Sequence, residues 1–193
     1  MPAAPRYGLA ALFLAPAEVI GWFFKHERQT QETSRMEQAL VSIVVAGVLS
    51  CAAMDIWQQI LQRVWGLPAS NWAVVGRWFV HTLRRRSMYQ PQIDTFSPEP
   101  KELPLGWLVH YLVGVAYALV FWIFLVPVPV FTATAGSGLV FGALSVAVPW
   151  FYFMPCLGKG VMASKTATPL KACSLALANH LVFGLAMALA FSL

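Results

Sequence analysis

Apolar residues in this chain run in four near-continuous blocks, at residues 39–62, 104–131, 136–157 and 172–193. About 20 apolar residues cross the hydrocarbon core of a bilayer as helix, because a helix satisfies its own backbone polar groups there. The blocks therefore predict an all-α polytopic membrane bundle with four transmembrane helices. The link after the first block, residues 63–103, has another pattern. Ser70 and Asn71 can cap a helix through Leu83, with Val75, Phe79 and Leu83 four apart on one face. Such a face suits a short interfacial helix on the cytoplasmic leaflet. Arg84, Arg85 and Arg86 follow at its C-terminal end, where cations suit the helix dipole. Each would attract anionic lipid headgroups by about 1 kcal/mol; a stop-transfer run of charge would look the same. Residues Gln90 to Pro104 lack a helical period and read as loop.

Residues 1–35 fit this pattern poorly and allow three readings. Arg6, the apolar run Tyr7 to Leu14 and Ala15-Pro16-Ala17 resemble a signal peptide with its cleavage site. Tyr7 to Phe24 could instead be a fifth span, interrupted by Pro16 and Glu18. Or translation begins at Met36, and the upstream residues are an N-terminal extension. On any of these, residues 36–193 form one four-helix transmembrane domain.

Composition and charge narrow the class. Of 193 residues 59% are apolar and 11% charged, against about 25% charged in soluble domains. The net charge of +5 is gathered in two links. Residues 63–103 hold Arg63, Arg77, Arg84, Arg85, Arg86 and Lys101; residues 158–171 hold Lys159, Lys165 and Lys171. The link Thr132 to Ser137 carries no charge. The positive-inside rule then places both basic links in the cytoplasm and the C-terminus outside. The basic residues speak to topology and not to nucleic acid, which is not an expected partner. Cys51, Cys156 and Cys173 lie within or beside apolar blocks with no CxxC spacing, so they read as small apolar residues. Ser42, Ser50 and Ser145 have no adjacent base and read as hydroxyls bonded back to their own helices. A membrane enzyme is therefore the least supported class.

Three blocks carry an ionisable residue well inside: Asp55, His110 and His180. An intramembrane acid or imidazole is costly and so marks a candidate site. Each lies about six to eight residues from the cytoplasmic end of its span, or roughly 10 Å. Small residues recur at four-residue spacing beside each: Gly47 and Cys51 before Asp55, Gly114 and Ala118 after His110, Ala176, Gly184 and Ala188 around His180. Small residues at this spacing turn the polar groups toward other helices. Tyr111, Asn179, Trp150 and Pro155 are the candidate lining; Pro149 and Pro155 free backbone carbonyls that protein or a cavity must satisfy. The bland reading makes the three residues interhelical glue, worth about 0.6 kcal/mol each. The functional reading is a cluster that binds or relays a proton, an ion or a small solute. Two imidazoles and a carboxylate also match a metal ligand set, and two histidines at one depth could bracket a haem. No HxxxH or ExxH pair supports either, and no cofactor is expected. A scaffold or assembly subunit, with a membrane partner or a second copy, is the remaining class.

The histidine segments also match each other. His110-Tyr-Leu-Val-Gly114-Val-Ala116-Tyr-Ala118-Leu119 and His180-Leu-Val-Phe-Gly184-Leu-Ala186-Met-Ala188-Leu189 both read H-x-x-x-G-x-A-x-A-L. A parallel repeat of two hairpins would place the two histidines opposite each other.

Several motifs together resemble a known family: Met54-Asp55, Asn71-Trp-Ala-Val-Val-Gly-Arg77-Trp, Gly106-Trp-Leu-Val-His110-Tyr, Pro149 with Pro155, Gly158-Lys-Gly160, Ser164-Lys-Thr166 with Pro169, and His180-Leu-Val-Phe-Gly184. The chain resembles, over about residues 38–190, a bacterial inner-membrane family catalogued only as a domain of unknown function and usually drawn with four helices. The resemblance implies a multi-pass protein of the bacterial cytoplasmic membrane and suggests that residues 1–35 are additional. It brings no activity, cofactor or site residue.

Overall fold

A computed structural model describes residues 17–125 and 132–193. The described residues form helices α1 (Ala17–Trp65), α2 (Trp72–Arg85), α3 (Glu102–Leu125), α4 (Ala135–Ser145) and α5 (Pro169–Phe191), with short helical turns between them and no strand. Four segments are long and apolar enough to cross a membrane: Phe24–Trp65, Glu102–Leu125, Ala135–Cys156 and Pro169–Phe191. Their outer faces show large apolar side chains such as Val45, Leu49, Ile60, Leu112, Ile123, Leu144 and Leu189 to the surroundings. Lipid covers such faces at no cost, whereas water would charge about 25 cal/mol per Å². The protein is an all-α, multi-pass membrane protein.

The chain divides into two compact units between Val41 and Ser42. The described part of the first is helical from Ala17, and its Thr30 and Thr33 hydroxyls donate back to the His26 and Gln29 carbonyls. Of the readings of residues 1–35, the segment Tyr7 to Leu14 and the Ala15-Pro16 part of the cleavage signal lie outside the described residues. The remainder, from Ala17, belongs to α1.

In the second unit the expected spans appear with altered ends. The first ends at Trp65 in an αL cap: Gly66 N–H reaches Gln62 O at 3.0 Å and Gly66 takes the left-handed φ of 62°, while Leu67 N–H reaches Leu61 O. The second begins at Glu102, ahead of the expected Pro104. Proline fits a first turn because no partner exists there for its missing N–H. Its expected end, residues 126–131, is outside the described residues. The third departs most from a continuous helix. Thr134 and Ser137 cap its start reciprocally, but regular α geometry stops at Ser145. A π-turn follows at Pro149–Phe153, then one α-turn at Met154–Cys156. Pro149 leaves the Ser145 carbonyl without its helical donor, and the Tyr117 hydroxyl on α3 donates to it at 3.3 Å. The fourth starts at Pro169, earlier than residue 172.

The basic link is more ordered than a loop with one surface helix. Asn71 caps α2, accepting from Val74 N–H, as its sequence suggests. Its buried residues, however, are Val75, Gly76, Arg77 and Trp78, while Leu83 is exposed. Gly76 and Gly106 let α2 meet α3 backbone to backbone; a Cβ at either would overlap the Glu102 or the Trp72 carbonyl oxygen. Within the stretch expected to be loop, Ile93–Thr95 is a 3₁₀ turn. Ile93 is fully buried with Trp78, Cys156 and Leu157. Gln90 N–H closes on the Cys156 carbonyl at 2.7 Å. The link thus caps the end of the third span as well as the second.

The matched histidine segments occupy matching places. Gly114 packs on Gly47 and Cys51 of α1, and Gly184 packs on Gly138 and Gly142 of α4. In each hairpin a small residue meets small residues, one turn beyond a histidine.

Candidate functional site

Asp55 and His110 meet. His110 Nε2 lies 3.3 Å from Asp55 Oδ2, and the Tyr111 hydroxyl donates to the same oxygen at 3.3 Å. Asp55 on α1 lies two turns from Gly47, and His110 on α3 one turn from Gly114, where the two helices approach. The His110 side chain is 7% exposed and that of Asp55 15%. The imidazole stacks on Trp72 at 4.0 Å, and the Trp107 ring meets it edge-on at 5.9 Å. Trp72 opens α2, and the turn before it is pinned to α1. Ser70 N–H and Oγ–H both donate to Gln58 Oε1, at 2.8 and 2.7 Å.

His180 is placed apart from this pair. Its Nδ1 lies 2.8 Å from Ser145 Oγ on α4, and the Tyr117 ring meets it edge-on at 6.1 Å. Ser145 also bonds back to the Gly142 carbonyl, as does Ser50 to Ala46, so both hydroxyls do what was expected of them. Ser145 additionally holds the histidine. The three ionisable residues therefore form two clusters, Asp55–His110–Tyr111 and His180–Ser145–Tyr117.

Two hollows connect these clusters to their surroundings. A polar pocket of about 500 Å³ is lined by Asp55, Gln58, Gln59 and Gln62 of α1 together with Ser70–Trp72 and Trp107. A larger cavity of about 620 Å³ holds His110, Cys51 and Met54 on one side and His180, Asn179 and Phe183 on the other. Ser70, Asn71 and Trp72 line both. The two histidines thus share a cavity without touching. Asn179 lines it; Tyr111 belongs to the carboxylate; Trp150 and Pro155 are absent from its lining, though their neighbours Pro149, Phe153 and Met154 contribute. Among the described residues no three His, Cys, Asp or Glu side chains converge as a metal site.

The arginines of the link divide. Arg84 pairs with Glu99 at 2.5 Å, Glu99 also meeting His81 at 3.3 Å; Arg85 lies over the Phe96 ring at 4.6 Å; Arg86 is the left-handed C-cap of α2. Arg77, unremarkable in sequence, is the buried one. It grips Glu102 through Nε and Nη2 at 2.8 and 2.9 Å and donates from Nη1 to the Phe96 carbonyl at 2.9 Å. The hydrogen bonds that Arg77 donates to Glu102, and the negative charge of that carboxylate, push the guanidinium pKa above its ordinary value.

Sequence reasoning missed Trp72, Gln58 and Tyr117. Asn71-Trp72 at the start of an amphipathic helix was a usable signal for an aromatic at the helix entry. Nothing in the sequence pairs Gln58 with Ser70.

The family model for a protein of unknown function (DUF2938) matches residues 44–193, and the chain belongs to that family. No curated protein and no solved structure matches the chain.

Proposed function

We propose that this integral membrane protein passes a proton or a small polar solute between the glutamine-lined pocket and the inner cavity, with Asp55 and His110 as the protonatable pair at the junction. The observation that supports it is positional. Asp55 lines the polar pocket, His110 lines the cavity, and the two are hydrogen-bonded to each other. A carboxylate and an imidazole in contact can exchange a proton without solvent between them. Trp72, stacked on His110 and lining both hollows, is the partition that a solute would have to displace.

The basic links 63–103 and 158–171 lie in the cytoplasm in this reading and the C-terminus outside, in a bacterial cytoplasmic membrane, so the polar pocket faces the cell interior. Anionic headgroups would meet the exposed Arg84, Arg85 and Arg86 at the end of α2.

The test is proton flux into proteoliposomes carrying an internal pH dye, with a potential imposed by potassium and valinomycin. Wild type should acidify the lumen faster than D55N and H110A by tenfold or more. Equal rates for all three would reject the pair as the proton carrier.

A further inference from the structure

The larger cavity has a chemistry separate from the Asp55 pair. Its walls include Trp72, Trp78, Tyr117, Phe153 and Phe183, and its size is that of sites for drug-sized molecules. The hydrogen bonds around His180 fix which ring nitrogen carries the proton. Ser145 Oγ lies 2.9 Å from the Gly142 carbonyl oxygen and 2.8 Å from His180 Nδ1. Two oxygens that close need a proton between them, and a hydroxyl has only one. That proton therefore goes to Gly142, and His180 Nδ1–H donates to Ser145 Oγ. In the neutral ring Nε2 is then a lone-pair acceptor, and it has no partner among the described residues.

At the other wall His110 is held through its other ring nitrogen, Nε2. The Asp55 carboxylate accepts from Nε2–H, which makes Nδ1 the acceptor nitrogen of the neutral ring. Asn179, the chain neighbour of His180, also lines the cavity, and its Oδ1 is enclosed without a partner. The charged residues of the lining, Asp94 and Lys159, are one of each sign. An ion entering this cavity would thus meet apolar walls and no net opposite charge, which is unfavourable. An apolar molecule without a donor would leave the imidazole acceptor unpaired.

We propose that the cavity binds an uncharged lipophile bearing a hydroxyl group, an alcohol or a phenol. Its apolar body lies against the aromatic walls and its O–H donates to His180 Nε2. The second polar contact is the Asn179 amide N–H, which donates to the hydroxyl oxygen, because the one proton of that hydroxyl is already donated to His180. This occupant is independent of whether Asp55 carries protons.

Equilibrium binding of tritiated 4-octylphenol to the full chain in lipid nanodiscs tests this, with empty discs as the blank. The expected result is saturable binding of one molecule per chain. The methyl ether 4-octylanisole, which has the same body and no donor, should compete at least tenfold more weakly, as should octyltrimethylammonium. In H180F the phenol should lose its advantage over the ether. Absence of saturable binding, equal competition by the ether, or tighter binding of the ammonium would overturn the proposal on the wild-type protein alone. A phenol preference that survives in folded H180F would overturn the role given to His180. Proton flux in D55N is a separate readout, so this proposal and the proton reading fail independently.

Discussion

Arg77 is where the link can be broken with a calculable penalty. Its side chain is 10% exposed and that of Glu102 13%, so the pair is shielded from water. In R77M the Glu102 carboxylate keeps one donor, the Glu99 N–H at 2.9 Å, and loses both guanidinium bonds. The Phe96 carbonyl loses its donor as well. Removing one partner of a buried pair costs about 3–5 kcal/mol, because the remaining charge stays desolvated. R77M/E102L removes both charges and should recover most of that, ending within about 1 kcal/mol of wild type. Arg77→Lys keeps the charge but loses the two-pronged grip, for about 1–2 kcal/mol. The measurement is denaturant unfolding in mild detergent, followed by tryptophan fluorescence, to which Trp72 and Trp78 of the link contribute. The pH dependence has a definite sign. A group whose pKa is raised on folding stabilises fully below its unfolded pKa and loses this only as pH climbs through the folded value. For Arg77 both lie above any usable buffer, so its own titration adds no slope between pH 6 and 9. An R77M penalty under about 1 kcal/mol, or a double variant no better than the single, would refute this account.

Three other outcomes follow from particular contacts. Tyr117→Phe uncovers the Ser145 carbonyl that Pro149 leaves open, and should cost about 1 kcal/mol by the same unfolding assay. Pro149→Ala in that background should restore part of it, by returning a helical N–H. Gly184→Leu places a side chain into the Gly138 and Gly142 backbone, and should abolish the folded monodisperse protein in size-exclusion chromatography. Gln58→Leu frees the Ser70 turn, and should raise the acrylamide-quenchable share of tryptophan fluorescence, a rise absent in a Trp72→Phe background, while leaving far-UV circular dichroism unchanged.

The four spans were legible because a bilayer demands the same thing of every crossing segment, and the four apolar blocks meet it over some 20 residues each. The Asp55–His110 contact was legible in part: the Gly47, Cys51, Asp55 spacing and the His110–Gly114 spacing put both residues on packing faces. The breaks in the third span were not. Pro149 and Pro155 signal freed carbonyls, but whether a helix kinks, stops or widens into a π-turn depends on which neighbour answers them, and here it is Tyr117 from another helix. The fold of the link escaped for a similar reason. Ile93 and Arg77 are buried through contacts with Cys156, Leu157 and Glu102, at separations that no local period reports.

The two histidines share a motif but do not share a partner, and that difference separates their chemistry. His110 faces a carboxylate, which can compensate a charged imidazole; His180 faces a hydroxyl whose single proton is already committed to Gly142. In the proposed reading one hairpin holds and releases a proton, while the other accepts a hydrogen bond from an occupant of the cavity. Asp55→Ser would give the first hairpin a hydroxyl partner like the second's. Serine's oxygen reaches about one bond less far than the carboxylate's, so His110 and Tyr111 lose the acceptor they share, and the expected change in unfolding free energy is about 1–3 kcal/mol. The expected change in proton flux is its loss to the empty-liposome rate. D55S carrying wild-type flux would show that the carboxylate is packing and not chemistry, and would reassign the first hairpin to the role proposed for the second.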